Sequence, residues 1–517
     1  MGKEDIASSG GSLGASIFNL SNTTLGAGIV AIPFFFSQCG YMLGTFILIA
    51  VGIASACASF LLVAAAEYSG QWSYIAVAGA AYGQRGQAAV QVAILCLTIG
   101  VMSAFYVQLG ETGSQTLSSL VSGPSHWWTS PLLIKAVFTG LPLLPLALQR
   151  DLSSLAGASL FVLGALMYLV VVVIAMGSGD GGAGCDDDND GDNDDGANDD
   201  DDDDDEYSVS VLRIGPSFFA AVPIAVLAFG NQVNIHQVIT ELKDPTPRRR
   251  AAVIWVTNIV VMVIYAAIGI AGYTRFGDTG TKDNILSNYC ELGRGFKLVA
   301  FTIARFGIVG VVLCSYPMLL FPCRNCFHFI LTKGHPDRYS IALPSSELSL
   351  DSAAPHQNGL SDKVIFRFRL LLGLELQLSN EQLFVTETLA IMGTTFLIAW
   401  LVPSLSVIMG FTGAIMGTLL GFIFPAMYFL KLLPAAAADA TAVTISPVAT
   451  LSPTPLLEGR FSTADEKQIE GNETDSVTTL LKPNMTAGSR SGASVLLCIG
   501  IAAGAVCMSA QIYALAG

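Results

Sequence analysis

Eleven stretches of this chain run for about 20 residues with few or no charges, at about 13–36, 41–67, 87–113, 131–148, 153–176, 214–238, 251–274, 298–322, 383–402, 408–430 and 492–514. A helix of that length crosses the hydrocarbon core of a bilayer. In hydrocarbon the backbone must satisfy its own hydrogen bonds, which an α-helix does segment by segment. The expectation is an all-α membrane protein that crosses the membrane repeatedly. Hydrophobic residues make up 52% and charged residues 13%, where a soluble chain carries about 25% charged. The 517 residues therefore read as one membrane domain with loops.

The formal net charge of -15 is local. Asp186 to Glu206 holds 14 Asp and one Glu, and the rest of the chain balances at 25 acidic and 25 basic residues. Lys and Arg set the orientation. With the N-terminus in the cytosol, 18 of the 25 fall in inside loops, including Arg248, Arg249, Arg250 and Arg324. Six fall outside, and Arg305 lies within a span. The reverse orientation puts 18 on the wrong side. An odd number of spans then leaves the C-terminus outside or in a lumen, and puts the Asp run there too. The Asp run lacks the ligand spacing of a folded calcium loop and reads as a solvated low-complexity insertion that could concentrate cations at the outer mouth. The sequons at Asn472 and Asn484 fall inside and should stay unglycosylated.

No cleavable signal peptide is evident ahead of the first span. Most of the ten Cys lie in apolar stretches, as small buried hydrophobes do. Cys323 and Cys326 form the one C-x-x-C, with no second pair to complete a zinc site. The segments 323–382 and 431–491 read as mostly disordered, with a short interfacial helix expected at 363–377. Trp127 and Trp128 suit an outer interfacial anchor for the fourth span.

Two spans carry polar interruptions. The first reads Asn19-Leu20-Ser21-Asn22-Thr23-Thr24-Leu25-Gly26-Ala27-Gly28-Ile29, and the sixth reads Ala228-Phe229-Gly230-Asn231-Gln232-Val233-Asn234-Ile235-His236-Gln237. A lone Gly-x-Gly in a membrane helix is more often a packing face. Amide and imidazole side chains at this density are expensive in hydrocarbon unless they meet water, each other or a ligand. Paired interruptions at equivalent positions of two five-helix halves point to a transporter binding site. Bare amides there suit a carboxylate, and bare carbonyls suit a cation.

At these residues the chain resembles the amino acid/auxin permease family of the APC superfamily, and within it the sodium-coupled neutral amino acid transporters. The resemblance is carried by Asn19 to Val30, by Glu241-Leu242-Lys243-Asp244 before a basic triplet, and by Gly272-Tyr273-Thr274-Arg275-Phe276-Gly277. Phe321-Pro322-Cys323-Arg324, Pro403, Gly410-Phe411-Thr412-Gly413-Ala414 and Phe424-Pro425 complete it. The resemblance implies a LeuT-type fold with a 5+5 inverted repeat and an additional eleventh transmembrane helix. That divides the chain into a cytosolic N-terminus (1–12), a first repeat (13–176), an acidic outer loop (177–213), a second repeat (214–430, with the cytosolic insertion 323–382), a cytosolic loop (431–491) and a last helix with an outer C-terminus (492–517).

The resemblance also implies roles. Asn22 and Ser315 would bind sodium, although a Ser in a helix often returns its hydroxyl to its own carbonyls. Gly26, Ala27 and Gly28 would meet a substrate carboxylate, with Phe229, Gly230 and Asn231 facing its amine and side chain. Ser103 and Phe105 of the third span would complete the pocket, though both are also ordinary packing residues. Where the family often has Cys-His, this chain has Asn231-Gln232, and Gln232 cannot titrate; His236, one turn on, could take over coupling or simply sit neutral near the cytosolic mouth. Arg305 is expected to have a structural or gating role, with Glu111 as a candidate partner. Cys185 and Cys290 fit a disulfide between outer loops that the family often has.

The functional expectation is an ion-coupled secondary active transporter of neutral amino acids, with sodium or a proton as coupling ion and no organic cofactor. The partners are a small-molecule amino acid and the lipid bilayer, with no nucleic acid, and the protein is expected to be monomeric. A proton-coupled vacuolar or lysosomal exporter and an amino-acid-sensing transceptor remain open, and so does a plasma or vacuolar/lysosomal membrane. Paired carboxylates, a nucleophile–His pair or a metal-ligand cluster placed for catalysis are not apparent, which argues against an enzyme.

Overall fold

The computed structural model describes residues 11–120, 129–149, 158–177, 208–289, 296–331, 366–369, 375–378, 380–433 and 485–516. The first span is two helices, α1 (Leu13–Leu25) and α2 (Ile32–Cys39), joined by a 3-10 turn at Ala27–Ala31 and bent by 54°. Ser12 caps α1, its hydroxyl accepting from Ala15 N at 3.2 Å, which satisfies one of the orphan amides of a helix start. Next come α3 (Tyr41–Ser69) and α4 (Tyr74–Leu120), the latter kinked where Gly83 takes φ 64°. The fourth window forms α5 (Pro131–Phe138) and α6 (Leu144–Ala147) around a π turn, followed by α7 (Ala158–Gly177).

The sixth span is also two helices, α8 (Pro216–Ala228) and α9 (Gln232–Thr240). Then follow α10 (Pro247–Gly280), α11 (Phe296–Leu331), α12 (Asn380–Leu401), α13 (Leu405–Leu433, with π turns at Gly413–Gly417 and Leu419–Ile423) and α14 (Met485–Ala516). Among the described residues, nine helices are long and apolar enough to cross a membrane, or ten if α1 and α2 count as one span. The fourth expected window, Pro131–Ala147, is apolar but only 17 residues long.

Several expectations change. The helix expected at 363–377 is instead an antiparallel pair, β1 (Phe366–Arg369) and β2 (Glu375–Leu378), with Phe366 opposite Leu378. Phe-Arg-Phe-Arg and Glu-Leu-Gln-Leu alternate with period two, the pattern of a strand. The eighth span runs nine residues past its window, so Cys323 and Cys326 are buried inside α11 rather than in a loop. Cys185, Cys290, the Asp run, Trp127 and Trp128 lie outside the described residues.

The core is a continuous apolar cluster between α2, α4, α7, α8, α10 and α11. On the side where α2 ends, the chain corner at Gly40 receives an extended strap, residues 208–213. Tyr41 N donates to Ser210 O at 3.2 Å, Met42 N to Val211 O at 3.2 Å and Arg213 N to Cys39 O at 2.9 Å. Asp278 accepts from the hydroxyls of Ser210 and Tyr273, pinning the strap to the end of α10.

Candidate functional site

Two ties set α1 alongside α9. At one end Gly11 N donates to Glu241 O at 2.8 Å and Lys243 N to Gly11 O at 3.0 Å. At the other the Tyr265 hydroxyl, from α10, lies 2.8 Å from Thr24 O and 3.1 Å from Ala228 O. Thirteen positions separate Gly11 from Thr24 and fourteen separate Ala228 from Leu242, so the two short helices run antiparallel in matched register. Asn22 is two positions before Thr24 and Asn231 three after Ala228. Asn22 is thus within one helical turn of the Tyr265 tie, and Asn231 follows it within the break.

Both expected interruptions are present. α1 ends at Leu25, and helical bonding resumes only through the 3-10 turn, with Ile29 N to Gly26 O at 3.4 Å. α8 ends at Ala228, and Phe229, Gly230 and Asn231 leave the helix before α9 begins. The ends of α1 and α8 thus leave carbonyls, and the starts beyond them leave amides, without their i±4 partners. Gly28 brings the turn against α8 and α13: a Cβ there would lie 3.6 Å from Ala228 Cβ and 3.5 Å from Met409 Cε.

The side chains at the breaks divide into spent and unspent groups. Ser55 and Ser59, one turn apart on α3, serve the sixth span. Ser55 donates to Phe229 O at 3.0 Å and accepts from Gln232 Nε2 at 2.9 Å, and Ser59 donates to Asn231 Oδ1 at 3.0 Å. Gln232 is therefore a packing strap between α9 and α3. Asn22 Oδ1, Ser21 Oγ and Asn231 Nδ2 are buried with no hydrogen-bond partner. A buried unpaired polar group costs about 1–3 kcal/mol, so unspent groups on facing breaks mark a place for a polar guest.

The other expected residues are placed as follows. Phe229 packs edge-on against Tyr265 at 5.5 Å, and Gly230 is exposed. Ser103 returns its hydroxyl to Ile99 O at 2.8 Å, and Phe105 is buried in the core. Ser315, half-buried on α11, makes no hydrogen bond among the described residues, so it does not return its hydroxyl to its own helix; α11 touches the Ala27–Ala31 turn. His236 is buried against the Tyr74 ring at 6.2 Å with both ring nitrogens unpartnered. Arg305 and Glu111 are not partners. Arg305 donates to Leu286 O at 3.3 Å and Tyr289 O at 2.8 Å, and Glu111 accepts from Asn284 Nδ2 at 3.2 Å.

Ser55, Ser59 and Tyr265 are the residues that sequence reasoning missed. A tyrosine in mid-span, away from the interfaces where its kind collects, needs a partner for its hydroxyl, and that signal was readable.

The chain matches the family described as "Transmembrane amino acid transporter protein" over residues 9–452. It is 26% identical over 415 residues to the rat protein "Solute carrier family 38 member 10", covering 80% of this chain and 32% of that one. It is 26% identical over 416 residues to the Xenopus laevis protein "Putative sodium-coupled neutral amino acid transporter 10", covering 80% and 34%. The match thus spans about a third of the length of these relatives. It is also 25% identical over 436 residues to "Amino acid transporter AVT6B" of Arabidopsis thaliana, covering 82% and 83%. This multi-pass membrane chain belongs to the transmembrane amino acid transporter family.

Proposed function

We propose that the chain is a secondary active transporter that moves a neutral amino acid across its membrane by alternating access, coupled to a cation gradient. The observation that carries this reading is the pair of breaks at matched register, with Asn22 Oδ1 and Asn231 Nδ2 buried and unpartnered beside them. The substrate carboxylate sits on the backbone of Gly26, Ala27 and Gly28. Its amine and side chain face Phe229, Gly230 and Asn231, with Ser103 and Phe105 as the third-span wall. Sodium takes Asn22 Oδ1 and the unspent hydroxyl of Ser315, hard oxygens of the kind it prefers. On this reading the spans form a 5+5 inverted repeat with an eleventh helix added, the N-terminus is cytosolic, and the protein works as a monomer. Binding drives the cycle only by its difference between outward-open and inward-open states, aided by about 2.3 kcal/mol per charge per 100 mV.

The test is uptake of a panel of labelled amino acids into proteoliposomes under imposed sodium or proton gradients. Sodium-driven uptake that Asn22→Ala weakens at least tenfold in sodium affinity is expected. Uptake unchanged when choline replaces sodium, and driven by a pH gradient, defeats sodium coupling in favour of a proton-coupled exporter, with the unpartnered imidazole of His236 as its first suspect. No uptake of any amino acid under either gradient defeats transport altogether and leaves a sensing role.

A further inference from the structure

Tyr265 lies in α10, fully buried, with its hydroxyl between the two breaks. It stands 2.8 Å from Thr24 O and 3.1 Å from Ala228 O. A tyrosine hydroxyl has one proton to donate. Thr24 lies in the last turn of α1 and Ala228 is the last residue of α8, so both carbonyls are orphans of helix ends. One proton therefore serves an acceptor from each broken span. Among the described residues no other side chain hydrogen-bonds to both breaks. The Phe229 ring, edge-on to Tyr265, holds the phenol in place.

We infer that Tyr265 is a positioning residue that ties the first and sixth spans together at their breaks, the end of α1 to the end of α8, while the site is empty. The inference rests on the transport reading. If the breaks part while the site is empty, the hydroxyl follows one carbonyl and leaves the other bare in a dry interior, where an unpaired acceptor is costly. A guest that brings its own donors, as the ammonium group of an amino acid does, satisfies the released carbonyl and removes that cost. Tyr265 thus holds the empty breaks together and lets them part once cargo is present.

The perturbation is Tyr265→Phe, which deletes the hydroxyl and keeps the ring against Phe229. Two measurements on the full chain decide it. The first is backbone hydrogen exchange in nanodiscs over residues 24–31 and 228–232, with the strap at 208–213 as internal reference. The variant should exchange at least tenfold faster at both breaks while the strap is unchanged. The second is uptake of an equimolar mixture of labelled L-amino acids into proteoliposomes. The maximal rate should fall at least tenfold with half-saturation within threefold of the native value. The inference is overturned by unchanged exchange, by faster exchange at one break alone, by faster exchange everywhere including the strap, or by rate and half-saturation deteriorating together. If the native protein carries none of the labelled amino acids, the transport reading fails, and the exchange measurement still decides the tie.

Discussion

Ser55→Ala removes the group that holds the broken part of the sixth span against α3. The serine hydroxyl donates to Phe229 O at 3.0 Å and accepts from Gln232 Nε2 at 2.9 Å, all three residues being buried. The substitution deletes one oxygen and opens almost no cavity, so the loss is confined to hydrogen bonding. In membrane proteins such bonds average about 0.6 kcal/mol and reach about 1.7 kcal/mol each, so two bonds amount to about 1–3 kcal/mol. A coupling of that size shifts the population of the observed break by about 5- to 150-fold. The half-saturation concentration for substrate should rise by a factor in that range, and the thermal midpoint in nanodiscs should fall. Ser69→Ala is the control. Its hydroxyl returns to Ala65 O at 2.8 Å on its own helix, and such a change costs within about 0.5 kcal/mol. If Ser55→Ala and Ser69→Ala behave alike in both assays, the Ser55 strap does not set the shape of the site.

Gly28→Ala should keep the native thermal midpoint in nanodiscs, because its Cβ would meet Met409 and Ala228 at ordinary contact distance, whereas Gly28→Val should lower it as overpacking costs about 1–3 kcal/mol; equal midpoints for the two would refute the close approach of turn, α8 and α13. Gly40→Ala forces a side chain onto φ 79° and places Cβ 2.7 Å from Ser210 O. That positive-φ extended region, open essentially to glycine, costs about 1–3 kcal/mol, so hydrogen exchange of residues 208–213 should quicken at least fivefold, and unchanged protection there would show that the strap does not depend on this corner.

Much of the helical layout was legible because a bilayer leaves few choices. A run of about 20 apolar residues must hide its backbone polar groups, and a helix is the local way to do it. The two breaks were legible for the same reason in reverse, since Asn22, Asn231 and the flanking glycines make no sense in hydrocarbon unless something polar meets them. Where that bilayer constraint lapsed, so did the reading. Residues 366–378 carry a short period-two pattern in a charged loop, and the paired strands there were mistaken for a helix.

Partners were another matter. Arg305 plainly needed acceptors, yet charge alone could not say that these would include the carbonyls of Leu286 and Tyr289 and not Glu111. A charge in a span states a need without naming what meets it, because many acceptors from distant parts of the chain satisfy it equally.

The sequence by itself determined that this is a membrane-spanning helical protein, that its first and sixth spans are interrupted, and which family it resembles, because these follow from local hydropathy and residue order. Only the tertiary structure decided which unspent groups the breaks retain and what joins them. Ser55, Ser59 and Tyr265 lie on other helices, 174, 172 and 241 positions along the chain from Phe229, Asn231 and Thr24. A hydrogen bond acts over about 3 Å of space, and no local pattern along the chain records which two points packing will bring that close.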